Sequence, residues 1–190
     1  FAKGFAVGLG ANGALVKFDI SANSICAEGG RHLAAALTNN QIMTELNIAA
    51  NNLGKESSDR RAKADMSGVV AISNAIPTMG ALTSLNVSSN DMGAVTLPDG
   101  WSGPDRDGDY RKKGGGYTKV LPEGFGPLGV IALADTIKNN GAIVSVNILN
   151  NDISTEQAFI KSLSTVKDIQ HTRTKKPKNK AIKNKYLCKL

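Results

Sequence analysis

The stretch Leu82-Thr83-Ser84-Leu85-Asn86-Val87-Ser88-Ser89-Asn90-Asp91-Met92 decides the fold of this chain. It follows the frame L-x-x-L-x-L-x-x-N-x-L, with an apolar residue or a close relative at each L. Alternate residues of a strand face the same side, so the two middle apolar positions predict a short strand with one buried face. Three further copies of the five-point frame occur: Leu15/Phe18/Ile20/Asn23/Ile25, Met43/Leu46/Ile48/Asn51/Leu53 and Ile143/Val146/Ile148/Asn151/Ile153.

An apolar pair with a spacing of four residues precedes each copy of the frame. The pairs stand ten and six residues before the first frame position: Phe5 and Leu9, Leu33 and Leu37, Ile72 and Ile76, Leu133 and Ile137. Residues four apart lie on one face of a helix. Each unit therefore predicts a strand, a turn and a helix, and residues 1–14 are predicted to be the helical half of a repeat whose strand lies upstream of Phe1.

The shortest repeat interval runs from Leu15 to Met43 and is 28 residues long. Together with the frame, this period resembles the ribonuclease-inhibitor-like class of leucine-rich repeats, over roughly residues 5–165. The resemblance implies an α/β fold: a solenoid with about four short parallel strands on one face and helices on the other. It is specific to the class of fold and names no partner.

Two longer intervals indicate insertions, at about 55–65 and 96–127. Both come between the turn asparagine and the next helix, and repeat proteins place such insertions on one face. This combination resembles leucine-rich-repeat families of microalgae and related protists, which are mostly of unassigned function. The predicted division is a repeat domain at 1–166, ending in a helix at Ser154–Val166, and a basic C-terminal tail at 167–190.

The tail carries nine lysines and arginines against one acid, Asp168, while the whole chain has a net charge of +7. The positive charge therefore belongs to the tail. Six lysines are candidate contacts for an acidic partner or a phosphate: Lys175, Lys176, Lys178, Lys180, Lys183 and Lys185. The open interpretations are ordering on an acidic protein surface or anionic lipid, a solvated tail, and RNA binding.

The frame asparagines Asn23, Asn51, Asn90 and Asn151 are predicted to be structural. The chain bends sharply after each strand, and an asparagine amide can both donate to and accept from the backbone groups left inside the bend. Replacing Asn51 by leucine is expected to cost about 1–3 kcal/mol, because buried polar groups would lose their partners.

Two sets of residues are candidate partner-binding groups. One is the outward column Asp19, Asn47, Asn86 and Asn147 on the exposed sheet face. The other is the aromatic set of the long insertion, Trp101, Tyr110, Tyr117 and Phe125. Solenoids bind partners on the open sheet face, and Trp and Tyr favour interfaces. The alternatives stay open that the face is merely solvated and that the aromatics cover the solenoid flank.

Three sequence features could indicate nucleotide binding, calcium binding or catalysis, but none has the surrounding residues or elements that such a site requires. Gly8–Gly13 matches G-x-G-x-x-G but falls between a helix and a strand, whereas a dinucleotide site needs the glycines between a strand and a helix. The acidic run starting at Asp105 has Tyr110 where a calcium loop needs glycine. His32 and His171 lack a catalytic context. We therefore expect neither an enzyme, nor a cofactor, nor a metal, nor a small-molecule substrate.

The sequence predicts a non-enzymatic scaffold for protein–protein interaction, as a peripheral or linker subunit of a larger complex that could be organellar or membrane-associated. Two alternatives remain, an RNA-associated protein that uses its basic tail and a leucine-rich-repeat regulator of a GTPase. The compartment is unknown; an intracellular one, cytoplasm or organelle, is preferred, because only two cysteines occur, in no disulfide-like or metal-like spacing.

Overall fold

The computed structural model of the chain describes residues 2–10, 12–93, 97, 99–102, 109–118, 128–151 and 168–170. It confirms the predicted mixed α/β class, with a parallel sheet and four helices whose buried side chains share one core. The sheet consists of five three-residue strands in the spatial order β1-β2-β3-β7-β8. They are β1 (Lys17–Asp19), β2 (Glu45–Asn47), β3 (Ser84–Asn86), β7 (Ser145–Asn147) and β8 (Asp168–Gln170).

Four helices form a row in which each packs against the next along the chain. They are α1 (Ala2–Gly10), α2 (Cys26–Leu37), α3 (Ser67–Ala75) and α4 (Leu128–Asn139). Pro77 ends α3 because proline has no N–H for the next helical hydrogen bond, and a 3₁₀ turn follows at Ile76–Thr78. The predicted helix at Ser154–Val166 lies outside the described residues. Within the described part of the chain, no helix has the length and apolar character that a membrane crossing requires.

The strands pair in register, so equivalent frame positions lie side by side. The inward residues Leu46, Leu85 and Val146 are at most 2% exposed. They share one core with the predicted helix pairs: Leu33, Leu37, Ile72, Ile76, Leu133 and Ile137. Burying each such side chain stabilises the fold by roughly 1.5–3 kcal/mol.

The fifth strand, Asp168–Gln170, pairs in parallel with β7 and lies in the range that the sequence assigned to the tail. The sequence indicated about four strands because the frame is broken here. Val166 and Ile169 occupy the first two apolar positions, but His171 and Thr174 stand where the third apolar residue and the asparagine are expected.

Both insertions contain local structure among the described residues. In the first, a single antiparallel bridge joins Lys55 to Ala64 and closes the polar loop between them. In the second, β4 (Trp101–Ser102), β5 (Tyr110–Lys112) and β6 (Tyr117–Thr118) form a three-stranded antiparallel sheet.

The residue before each frame asparagine has a left-handed backbone conformation. These four residues are Ala22, Ala50, Ser89 and Asn150, with φ of 59°, 55°, 56° and 57°. The conformation turns the chain sharply at the end of the strand, and it disfavours any residue with a Cβ. None of the four is glycine, so each repeat holds some backbone strain at this position.

Replacing Ala50 by glycine should raise the free energy of unfolding by about 0.5–1 kcal/mol, because glycine adopts positive φ without strain. The neighbouring Ala49→Gly is the control, since Ala49 is not among the residues with positive φ. It should lower stability by a similar amount through backbone entropy. Urea denaturation of both variants measures the difference, and a loss of stability in Ala50→Gly would contradict the interpretation.

Candidate functional site

The four frame asparagines form a hydrogen-bonded ladder across the sheet. The Oδ1 atom of each later asparagine accepts the backbone N–H of the preceding one: Asn51 from Asn23 at 2.9 Å, Asn90 from Asn51 at 2.9 Å, and Asn151 from Asn90 at 2.7 Å. The Nδ2 atom of Asn90 donates to the carbonyls of Ile48 and Val87, at 2.9 and 3.0 Å. The ladder thus ties each turn to the turns of neighbouring repeats.

The ladder is buried over most of its length. Asn51, Asn90 and Asn151 are at most 1% exposed, whereas Asn23, in the first repeat, is exposed. Its side chain still donates to Ile20 O and Ser21 O, both at 2.9 Å. Since the buried amides satisfy backbone groups inside the turns, they hold the repeats together and are not available to a ligand.

A second polar column runs along the outward face of the sheet. The column consists of one aspartate or asparagine per strand, and the Oδ1 atom of each accepts the backbone N–H of the residue two positions later. Asp19 accepts from Ser21, Asn47 from Ala49, Asn86 from Ser88, and Asn147 from Leu149, at 2.8–3.2 Å. This is the local turn that aspartate and asparagine favour. The four predicted partner-binding residues therefore also close their own turns, so their side chains are held in fixed positions.

Side chains on this face also bond between strands. The Nδ2 atom of Asn47 donates to Asp19 Oδ2 at 2.7 Å, and Lys17 Nζ lies 2.6 Å from Glu45 Oε1. A shallow open depression of about 330 Å³ lies over the first three strands, bordered by these residues together with Ser84 and Asn86. The surface offers amides, hydroxyls and carboxylates in rows, which is the chemistry of polar contact with another chain.

Hydrogen bonds lower the pKa of the Asp19 carboxyl below its ordinary value. The largest cause is the Ser21 hydroxyl, followed by the Ser21 backbone N–H and the Asn47 amide. These donors favour the charged carboxylate. Because the folded pKa is lower than the unfolded pKa, the resulting stability is present above the unfolded pKa, about 3.9. It is lost as the pH falls through the folded pKa.

Replacing Ser21 by alanine should raise the pKa of Asp19 toward its ordinary value, because the strongest donor is removed. An NMR titration of the Asp19 carboxyl carbon measures this. Ser88→Ala is the matched control: its hydroxyl donates to Asn86 Oδ1 at 2.8 Å in the third repeat, and Asn86 does not titrate. If the pKa of Asp19 is the same in Ser21→Ala as in the wild type, the Ser21 hydroxyl is not the main cause of the lowered pKa.

The small antiparallel sheet separates the predicted aromatic contacts. Strand pairing puts Trp101 opposite Lys112 and Tyr110 opposite Thr118, so Trp101 and Tyr110 lie on one face and are half-buried. Tyr117 lies on the other face and is 63% exposed, with the Arg111 guanidinium 5.7 Å from its ring centroid. The aromatics therefore do not form one patch, because adjacent strand residues alternate between faces. Phe125 lies outside the described residues.

The structure also shows a set of asparagines that the sequence interpretation missed. Asn12, Asn40 and Asn140 each precede a strand, three residues before the first frame position. The Oδ1 atom of each accepts two backbone N–H groups of the following turn, at 2.8–3.1 Å. The sequence feature that could have identified them is their constant spacing of three residues before the frame. In the third repeat this position is occupied by Met79.

The remaining candidates add little chemistry. Cys26 is buried, and its thiol donates to Ser24 O at 3.2 Å. Burial raises the pKa of this thiol, an effect that the charge of Lys55 partly offsets, so the thiol is a poor nucleophile. Among the described residues, no group of His, Cys, Asp and Glu side chains could hold a metal ion. The six predicted lysines of the tail, Lys175–Lys185, lie outside the described residues.

No protein-family model matches this chain, and no curated protein matches it.

Proposed function

We propose that this chain is a leucine-rich-repeat solenoid of the ribonuclease-inhibitor-like class, and that it acts as a non-enzymatic scaffold for protein–protein interaction. It would be a peripheral or linker subunit of a larger assembly. The observation that carries the proposal is the outward sheet face, where a continuous column of side chains is fixed by hydrogen bonds and left open to a partner.

The rigidity of this column supports binding. Asp19, Asn47, Asn86 and Asn147 already hold defined positions through their turns, so less side-chain entropy would be lost when a partner docks. The column repeats from strand to strand at the spacing of a parallel sheet, about 4.8 Å. A partner with polar groups at a similar spacing could contact several strands at once.

The proposal is tested by capture of partners from an extract of the source organism with the tagged chain, followed by cross-linking and mass spectrometry. Ser84→Arg puts a large cation into the depression on the outward face and should abolish specific capture. Ala35→Arg makes the same substitution at an exposed site of α2 and should leave capture unchanged. Equal capture by both variants would contradict binding at the sheet face.

The insertion and the tail are separate arms of the same experiment. Shortening 96–127 tests whether the insertion contacts the partner. Removing 171–190, which keeps β8, tests the basic tail, whose charge favours an acidic surface. If the tail alone carries binding and the bound material is RNA with a steep salt dependence, the alternative of an RNA-associated protein replaces the scaffold.

A further inference from the structure

The small antiparallel sheet of the second insertion has two unlike faces. Strand alternation places Trp101, Tyr110 and Thr118 on one face, and all three are half-buried. The opposite face carries Arg111 and Tyr117, which are paired across β5 and β6 and are both exposed. One face of this sheet is therefore partly covered, and the other is presented to solvent.

The exposed face, termed the Arg111 face, consists of Ser102, Arg111, Lys113 and Tyr117, and all four are exposed. Ser102 stands opposite Arg111 in the pairing of β4 and β5. Lys113 lies two residues after Arg111, and its backbone N–H donates to Gly100 O at 2.7 Å, which continues the same pairing. A guanidinium, an ammonium group and an aromatic ring thus share one open surface.

Positive charge is concentrated on β5 and the turn after it. Residues 110–118 contain three consecutive cations, Arg111–Lys113, and no acid. In the described segments of this insertion the nearest acids are Asp99 and Asp109, which lie just outside β4 and β5. The glycines at 114–116 have no side chain that would cover the face. The charge therefore favours an anionic chain as the ligand.

The contact between Arg111 and Tyr117 distinguishes among anionic chains. The Arg111 guanidinium lies 5.7 Å from the centroid of the Tyr117 ring, within the range of a cation–π contact. Tyr117 is 63% exposed, so the pair is open to a further flat group. Proteins that bind single-stranded nucleic acid combine cations along the backbone with aromatic rings or guanidinium planes on which bases stack. An acidic protein surface offers the charge without the bases.

We propose that the Arg111 face binds a short stretch of single-stranded RNA. One base stacks on Tyr117 beside the Arg111 guanidinium, and Lys113 contacts a phosphate of the same strand. RNA is favoured over DNA because the Ser102 hydroxyl lies on the same face and can bond to a 2′-OH, which DNA lacks. The site is separate from the outward face of the five-stranded sheet and from the lysine-rich tail, so the inference goes beyond the proposed scaffold function.

Fluorescence anisotropy with a labelled oligouridine of about ten nucleotides measures binding by the full chain. Tyr117→Val removes the ring and keeps a residue that favours strands. Its Kd should be about tenfold above that of the wild type, the effect of one stacked base. Tyr117→Phe keeps the ring and is the control, with a Kd close to that of the wild type. An abasic oligomer of the same length should bind both variants equally.

Lys112 and Lys113 are a matched pair for the phosphate contact. Both are exposed, but strand alternation puts Lys112 on the other face, opposite Trp101. Lys113→Ala should reduce the slope of log Kd against log salt by about 0.7, the value for one phosphate of a single strand. Lys112→Ala removes the same charge and should leave the slope unchanged. The basic tail is present in every variant, so its contribution cancels in each comparison.

Four results would overturn the inference. Equal Kd values for Tyr117→Val and Tyr117→Phe would mean that no base stacks on the ring and that the tail carries any binding. Equal salt slopes for the two lysine variants would remove the phosphate contact. Tighter binding of polyglutamate than of RNA would make an acidic protein the ligand, and tighter binding of the deoxy oligomer would make it DNA. The Ser84→Arg capture experiment tests another surface, so failure of one proposal leaves the other intact.

Discussion

Replacing Asn90 by leucine should lower the free energy of unfolding by about 3 kcal/mol, a larger loss than the same change causes at Asn51 or Asn23. The carbonyls of Ile48 and Val87 would each keep a second amide donor, from Asn51 and Asn151. The Asn51 N–H, in contrast, loses the acceptor that it bonds at 2.9 Å in a buried site. The Leu53 N–H loses the same acceptor, which it bonds at 3.3 Å. These two orphaned donors dominate the cost, because a buried donor without a partner costs about 1–3 kcal/mol.

The same substitution at Asn51 and at Asn23 completes a graded series. Asn51→Leu leaves the Asn23 N–H without its acceptor at a part-buried site, so about 2 kcal/mol is expected. Asn23→Leu should cost less than about 1 kcal/mol, since this side chain is exposed and water can replace its two hydrogen bonds. Chemical denaturation measures the series, and equal losses at Asn90 and Asn23 would contradict the ladder as the cause.

Replacing Gly68 by alanine should lower the free energy of unfolding by about 3 kcal/mol through steric overlap between α2 and α3. A Cβ atom at this position would lie 2.6 Å from Ala27 Cα and 2.7 Å from Ala27 O. Both are backbone atoms, so the clash cannot be relieved by rotating a side chain. For a chain of this size the melting temperature should fall by roughly 6–12 °C.

Gly8→Ala is the matched control, because a Cβ atom there has nothing within 4 Å. Gly8 lies within α1, where alanine should stabilise the helix by about 0.5–1 kcal/mol. Differential scanning calorimetry of the two variants separates the clash from the general effect of glycine in a helix. A Gly68→Ala variant that melts at the wild-type temperature would show that the helices can move apart at little cost.

The close approach at Gly68 shows how the helix row is spaced. The Cβ of an alanine at Gly30 would lie 3.0 Å from Gly68 Cα, and at Gly129 it would lie 2.8 Å from Met66 Sδ. Small residues let neighbouring helices lie near one another over the sheet. The turns that connect strands to helices must then lie equally close together, and the hydrogen bonds of the asparagine ladder join these turns.

The period of the sequence was sufficient to predict the positions of β1, β2, β3 and β7 and of the four described helices. Leu46, Leu85 and Val146 were expected inside, and all three are in the core. The frame could not indicate Asp168–Gln170, because two of its landmark positions carry His171 and Thr174. Strand pairing with β7, and not local pattern, defines that strand.

The candidate site was less predictable from the sequence. The outward column was found from alternation alone, but nothing in the sequence indicated that each member accepts a hydrogen bond from its own turn. The aromatics of the insertion were grouped because they are close in sequence. Their separation onto two faces depends on the register of β4, β5 and β6, which side-chain type does not encode.

The sequence by itself determined the repeating unit, the inward positions and the place of each turn, because these follow from spacings of two and four residues within one segment. Only the tertiary structure decided which backbone N–H each ladder asparagine accepts from a neighbouring repeat, and how closely the helices approach at Gly68. These features depend on the distance and orientation between segments at least 28 residues apart in the chain. The residue pattern within one segment does not determine that distance or that orientation.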